Sequence, residues 1–285
     1  MSINTLCVCG AGTMGSSIAQ AAIQSGIYTI LYEPNTAVLG KAKAGIEKSL
    51  ASLVEKGKIT PEAKSKALMQ IQFTDDVQGL LADVFIEAIV EKPEIKIGLF
   101  NQLAEMNHSE SIFATNTSSL SVTKIAEGVI NPARVIGMHF FNPATIMKLV
   151  EVVNTDYTTA ATTDTIIELA KTMGKTPVIC RDAPGFIVNR VARPYYIESL
   201  RLAEENISSF EQMDKLMEAT GFKMGPFKLM DLIGNDINYA VSCSLYEQLQ
   251  KPERLKPSSI QQEKVETGEL GKKSGKGYYD YAPIP

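Results

Sequence analysis

Two side chains in this sequence could exchange a proton near neutral pH, His139 and His108, and their surroundings differ. His108 stands in a polar Asn-His-Ser-Glu stretch and reads as solvated. His139 stands in Gly137-Met-His-Phe-Phe-Asn-Pro143, at the C-terminal end of an apolar run. Open α/β sheets bind ligands outside those strand ends. Twelve residues on, Glu151 interrupts the apolar run Leu149-Val-Glu-Val-Val153. A buried carboxylate needs a partner, and His139 is the nearby group able to supply a proton. Such a pair would orient the imidazole for general base work. A surface place for Glu151 on an edge strand is the alternative. Asn116-Thr-Ser-Ser119 also follows a strand-like run, and could bring an amide and hydroxyls to the same crevice or cap a following helix.

The second chemical signal is Gly10-Ala-Gly-Thr-Met-Gly15, which opens directly from the apolar run Leu6–Cys9. Gly10 would allow a sharp turn, Gly12 a close approach of backbone N–H groups to a pyrophosphate, and Gly15 tight helix–strand packing. The helix that follows would point its positive end at the phosphates. A second strand, Tyr28–Tyr32, runs into Glu33, 18 residues beyond Gly15. An acid there suits the ribose hydroxyls of a dinucleotide. No Lys or Arg follows until Lys41, which favours NAD over NADP.

These residues need a frame. Strand-like runs at Ile71–Thr74, Val84–Ile89, Ile112–Thr115, Val135–Phe140 and Leu149–Val153 alternate with helical patterns at Ser16–Gln24, Thr36–Lys58 and Glu94–Met106. That alternation predicts a doubly wound, Rossmann-type α/β sheet. After Cys180 the period changes. Helical spacing dominates from Phe186 through Phe210–Ala219 and Leu229–Leu249, with one further strand conceivable at the Tyr278-Tyr-Asp-Tyr tail. We therefore expect a nucleotide-binding domain over residues 1–183 and an all-helical domain over 184–285. A helical domain of that size, with apolar residues such as Met230, Leu232, Ile233 and Ile237, predicts a homodimer interface.

The bulk numbers agree with a globular enzyme. The chain has 285 residues, 45% hydrophobic and 21% charged, with a net charge of −4. The charge argues against nucleic acid or an anionic membrane as partner. No apolar run reaches the roughly 18 residues that span a bilayer. With no leader evident, a cytoplasmic setting is expected. Cys7 and Cys9 alternate on the first strand, while Cys180 and Cys243 stand alone. Reduced, buried thiols are expected, with no disulfide framework and no metal. Gly271-Lys-Lys-Ser looks like the end of a P-loop, but position 266 is Glu where Gly is required.

Taken together, the segments identify a resemblance. Gly10–Gly15, Glu87-Ala-Ile-Val-Glu91, Asn116-Thr-Ser-Ser-Leu120, Gly137–Pro143, Lys148–Val153, Pro184-Gly-Phe-Ile-Val-Asn-Arg190, Gly225-Pro-Phe-Lys-Leu-Met-Asp231 and Gly271–Tyr278 follow one family's order over the whole length. The chain resembles the L-3-hydroxyacyl-CoA dehydrogenases, most closely the bacterial 3-hydroxybutyryl-CoA dehydrogenases. The resemblance implies His139 as the base at the 3-hydroxyl, oriented by Glu151, with Ser118 and Asn189 binding the substrate's oxygens. It implies an NAD site formed by Gly10, Gly12, Thr13, Met14, Gly15, Glu33, Glu91, Lys96, Asn116, Ser118, Asn142 and Lys273. On an ideal helix Lys41, Lys48, Ser49, Ser52 and Lys56 share one face. That face reads as a solvated lysine surface by itself. The resemblance makes Ser49 and Lys56 candidates for the CoA phosphates. Lys228 departs from the acid expected there, within an intact Gly-Pro-Phe turn.

The expected reaction is the NAD-dependent interconversion of short-chain (S)-3-hydroxyacyl-CoA and 3-oxoacyl-CoA. Two alternatives stand beside it: a dehydrogenase of a free 3-hydroxy acid on the same scaffold, and a non-catalytic NAD-binding sensor.

Overall fold

A computed structural model describes residues 3–281. The chain divides into two compact units, Met1–Ala183 and Pro184–Pro285. The first is built on one sheet of eight strands: β1 (Thr5–Cys9), β2 (Tyr28–Tyr32), β3 (Ile71–Thr74), β4 (Val84–Glu87), β5 (Ile112–Thr115), β6 (Val135–Phe140), β7 (Leu149–Asn154) and β8 (Thr176–Arg181). Their order across the sheet is β3-β2-β1-β4-β5-β6-β7-β8. The first six run parallel; β7 is antiparallel to β6, and β8 is parallel to β7. The chain reverses its winding between β1 and β4, which opens the crevice where such sheets take their ligands.

Helices α1 (Thr13–Gln24), α2 (Thr36–Glu55), α3 (Pro61–Leu68), α4 (Pro93–Met106), α5 (Val122–Glu127) and α6 (Ala160–Thr172) connect these strands. Their starts are legible in local chemistry. Asn35, Thr60, Ser121 and Thr159 each accept backbone N–H groups of the first turn that follows them. Leu6, Val8, Leu31, Val84 and Ile86 are buried in the core beneath α1, whose Ile18 and Ile23 also lie in it. Strands buried on both faces read as continuous apolar runs, as β1 and β4 do.

The second unit is helical: α7 (Val188–Glu204), α8 (Phe210–Ala219), α9 (Pro226–Ile233), α10 (Asn235–Gln248) and α11 (Ser259–Glu266). Tyr196, Leu200, Met213, Phe227 and Met230 form its core. The rings of Phe210, Phe227 and Tyr278 meet with centroids 4.5–5.1 Å apart.

The structure corrects four details of the sequence reading. The expected helix Thr36–Lys58 ends at Glu55, and a separate α3 follows. Strand β8 was not anticipated, because Pro177 lies within it; proline is tolerated there on an edge strand. The helical run Leu229–Leu249 is two helices, broken where Gly234 adopts φ 102°. The Tyr278–Tyr281 tail contributes one isolated bridge, Asp280 with Lys276, rather than a strand among the described residues.

Candidate active site

The glycine turn between β1 and α1 is shaped by close approach. Gly10 adopts φ 99°, and its N–H donates to the Tyr32 carbonyl at 2.8 Å. A Cβ on Gly10 would lie 2.7 Å from the carbonyl oxygen of Ala88, and one on Gly15 would meet the Gly10 carbonyl oxygen at 1.7 Å. Gly12 differs: no heavy atom lies within 4 Å of where its Cβ would stand. It caps α1 with no side-chain acceptor on the first-turn N–H groups and no acid in that turn. Open space in front of a helix N-terminus fits a pyrophosphate. Thr13 and Met14 continue this turn, exposed and half-buried respectively. At the end of β2, Glu33 accepts the Ala11 N–H through Oε2 and the Asn35 N–H through Oε1, each at 3.1 Å. The carboxylate is thus anchored beside the turn, as a ribose acceptor must be.

The contact between His139 and Glu151 is set by strand register. Antiparallel pairing of β6 and β7 places His139 directly opposite Glu151. Imidazole Nδ1 and carboxylate Oε2 lie 2.7 Å apart, with His139 6% and Glu151 1% exposed. Glu151 is therefore not an edge-strand surface group; β8 covers its flank. The Phe141 ring packs against the imidazole, centroids 4.6 Å apart. Asn116, just past β5, accepts the Phe140 N–H through its side-chain oxygen at 2.9 Å, tying its loop to the strand that carries His139. Its segment does not cap α5; Ser121 does. Asn142 precedes Pro143 in a cis peptide bond. Lys175 donates to the carbonyls of Ala144 and, at 3.1 Å, Met147 in the same loop. Burial lowers the Lys175 ammonium from its ordinary value.

A third group stands at the ends of β4 and β5. Lys96, from α4, lies 2.6 Å from Glu87 and 3.0 Å from Glu91. Glu87 also accepts the Thr115 hydroxyl at 2.7 Å and the Ile89 N–H at 2.8 Å. Burial pushes the Glu87 carboxyl up, with Lys96, Thr115 and Ile89 pulling against it. Glu91 is also pushed by burial, but the Lys96 charge and hydrogen bonds from Thr117, Lys96 and Ser119 outweigh that and hold it below the usual range. Glu91 further accepts the Ser118 N–H at 3.3 Å. The cluster thereby joins three expected site residues, Glu91, Lys96 and Ser118.

Glu87, Thr115, Thr117 and Lys175 were missed in the sequence. The signal for Glu87 was present: an acid inside the apolar run Val84–Ile89, the same anomaly that marks Glu151. Of the remaining candidates, Ser49 is half-buried on α2 and accepts from Gln20 at 3.0 Å, while Lys56 is the exposed C-cap of that helix. Asn189 and Lys273 belong to the second unit. Asn189 sits in the first turn of α7, where its carbonyl accepts the Arg193 Nε–H at 3.0 Å. Lys273 pairs with Asp236 of α10 at 2.6 Å, and that pairing holds the Asp236 carboxyl down against its partial burial.

Comparison with known proteins accounts for both units. Residues 5–183 match the model of the 3-hydroxyacyl-CoA dehydrogenase NAD-binding domain, and residues 185–281 that of the C-terminal domain of the same enzymes. The chain is 46% identical over 283 residues to the 3-hydroxyadipyl-CoA dehydrogenase of Escherichia coli, covering 99% of this chain and 60% of that protein. A crystal structure of 3-hydroxybutyryl-CoA dehydrogenase from Escherichia coli K12 superposes with a TM-score of 0.96 at 45% identity, over 100% of this chain and 61% of the other. The (S)-3-hydroxybutyryl-CoA dehydrogenase of Ralstonia eutropha gives 0.94 at 35%, over 99% of this chain and 100% of the other. The chain thus spans about three fifths of the two Escherichia coli relatives and the full length of the third. It belongs to the 3-hydroxyacyl-CoA dehydrogenase family, NAD-dependent oxidoreductases that act on a CH–OH group.

Proposed function

We propose that this chain interconverts (S)-3-hydroxyacyl-CoA and 3-oxoacyl-CoA with NAD, taking short chains such as 3-hydroxybutyryl-CoA. The observation that carries this reading is the His139–Glu151 pair at the C-terminal end of β6, in a domain matching the family's NAD-binding model. NAD, when bound, would supply the hydride acceptor or donor for C3. Glu151 fixes the ring through Nδ1, and Nε2 takes the 3-hydroxyl proton during oxidation and returns it during reduction. Ser118 and Asn189 hydrogen-bond the substrate's oxygens. Gly10 to Gly15, Glu33, Glu91, Lys96, Asn116, Asn142 and Lys273 hold the cofactor, and Ser49 with Lys56 meets the CoA phosphates.

We assign residues 1–183 to cofactor binding and 184–285 to substrate binding and assembly as a homodimer. Exposed apolar side chains on the helical unit support the dimer: Val191 is 72% exposed, Leu232 and Ile237 51% each. Four unbridged cysteines support a reducing, cytoplasmic setting. The Escherichia coli relative named for 3-hydroxyadipyl-CoA favours a second reading of the acyl group, a dicarboxylic chain.

The deciding experiment follows NADH oxidation with acetoacetyl-CoA, 3-oxoadipyl-CoA and free acetoacetate, each repeated with NADPH. Fast turnover with NADH and the thioesters alone supports the proposal, and the ratio between the thioesters selects the acyl class. Turnover of free acetoacetate would move the reading to a free 3-hydroxy acid. NADH binding without any turnover would mark a sensor.

A further inference from the structure

Glu87 is fully buried at the end of β4, and its carboxylate lies 2.6 Å from the Lys96 ammonium. Lys96 is itself 1% exposed and already has a second carboxylate, Glu91, at 3.0 Å. Only Glu91 of the three reaches the surface, with its side chain 38% exposed. It lies against Ser118 and Ser119, at the strand ends where the cofactor is held. Lys96 and Glu91 alone would make a neutral pair. Burying one more carboxylate costs desolvation that Thr115 and the Ile89 N–H only partly offset. With one cation between two carboxylates, the cluster carries one net negative charge.

We propose that Glu87 is a positioning residue whose charge neutralises Lys96 and leaves Glu91 as an uncompensated anion, biasing the site toward the oxidised nicotinamide. The inference rests on the NAD-dependent reading above. The nicotinamide ring carries a positive charge when oxidised and none when reduced. Contacts common to both forms cancel in the ratio of their affinities, whereas a net charge nearby does not.

The test is the ratio of dissociation constants for NAD+ and NADH, the first by calorimetry and the second by NADH fluorescence, at pH 7.5. Glu87→Gln leaves the cluster neutral and should raise the ratio Kd(NAD+)/Kd(NADH) about tenfold, the order expected for one partly screened charge. Lys96→Met removes the cation that keeps buried Glu87 ionised, so that carboxyl takes up a proton, the cluster keeps one negative charge and the ratio should stay within about twofold of wild type. The double variant restores one net negative charge, so its ratio should return to within about twofold of wild type even if both affinities weaken. Thr115→Val removes the tie to β5 without altering charge and should leave the ratio alone. The proposal fails if Glu87→Gln leaves the ratio unchanged, if Thr115→Val moves it equally, or if the double variant does not restore it. Should Glu87→Gln not fold, Lys96→Met and the double variant decide alone, since a ratio more than about twofold from wild type in either overturns the proposal. Absence of NADH binding by the wild-type protein would instead overturn the dinucleotide reading, and this inference with it.

Discussion

The carbonyl oxygen of Gly10 occupies the place where a side chain on Gly15 would begin: a Cβ there would stand 1.7 Å from it. Gly15→Ala must therefore force the turn open or push α1 away from β1. Overpacking of this kind costs about 1–3 kcal/mol. We expect a lower melting temperature and loss of NADH binding together. Gly12→Ala makes the contrast, since its Cβ meets nothing within 4 Å and its φ is −67°. That variant should melt with the wild type yet bind NADH at least about tenfold more weakly, because the methyl group takes the space a phosphate needs. Calorimetric melting and fluorescence titration separate the two outcomes.

His139→Gln should lower kcat by about 10²–10⁴-fold with the NADH dissociation constant nearly unchanged, the range a general base contributes. Retention of more than about a tenth of wild-type kcat would remove His139 from the role. Glu151→Gln keeps the shape but loses the charge 2.7 Å from Nδ1. Its kcat should fall by up to about 10⁴-fold with little change in KM, as expected where the carboxylate orients the ring.

In the helical unit, Asp231 collects the Asn235 amide, the N–H groups of Tyr278 and Tyr279, and the Tyr281 hydroxyl, all within 2.9–3.1 Å. It is 1% exposed. Asp231→Ala strands these donors and should destabilise the unit by about 3–5 kcal/mol in urea unfolding. Asp231→Asn retains acceptors and should cost less.

Hydrogen bonds from Lys264 and Lys276 hold the Glu269 carboxyl down to about 2, against about 4.5 for an ordinary glutamate. The native state thus stays ionised where the unfolded chain has already taken up a proton. This contribution is complete above about pH 4.5 and is lost as the pH falls toward 2. Urea unfolding of Glu269→Gln should show a shallower loss of stability than wild type across that window. At pH 7 the difference should shrink in 1 M salt, since the group is partly exposed.

The parallel core was legible because Leu6–Cys9, Val84–Ile86 and Val135–Met138 are runs without a charged or polar side chain, and the glycine spacing located the turn at residue 10. Glu151 was legible as a charge in an apolar run. Glu87 met the same criterion, and Lys96 stands only nine residues on, but no strand register pairs the two; Lys96 reaches Glu87 because α4 folds back over β4. Strand β8 was hidden by Pro177 and by its exposed side chains, which leave no alternation to read. The division of α9 from α10 was hidden because both carry helical spacing, and only the backbone of Gly234 separates them. Periodicity reports which face is buried; it does not report where a single residue changes hand.

The placement of His139 and Glu151 on paired interior strands has a consequence for heat inactivation. A one-residue slip of β7 against β6 would turn Glu151 to the opposite face of the sheet, so no partly shifted register preserves the contact. A catalytic group on a loop can be lost by local melting while the domain persists. Here both strands are hydrogen-bonded on each side, β6 to β5 and β7 to β8, so the pair's amides should exchange with deuterium only as slowly as the unit opens as a whole. Residual activity on heating should then follow the cooperative unfolding curve, without an earlier inactivation step.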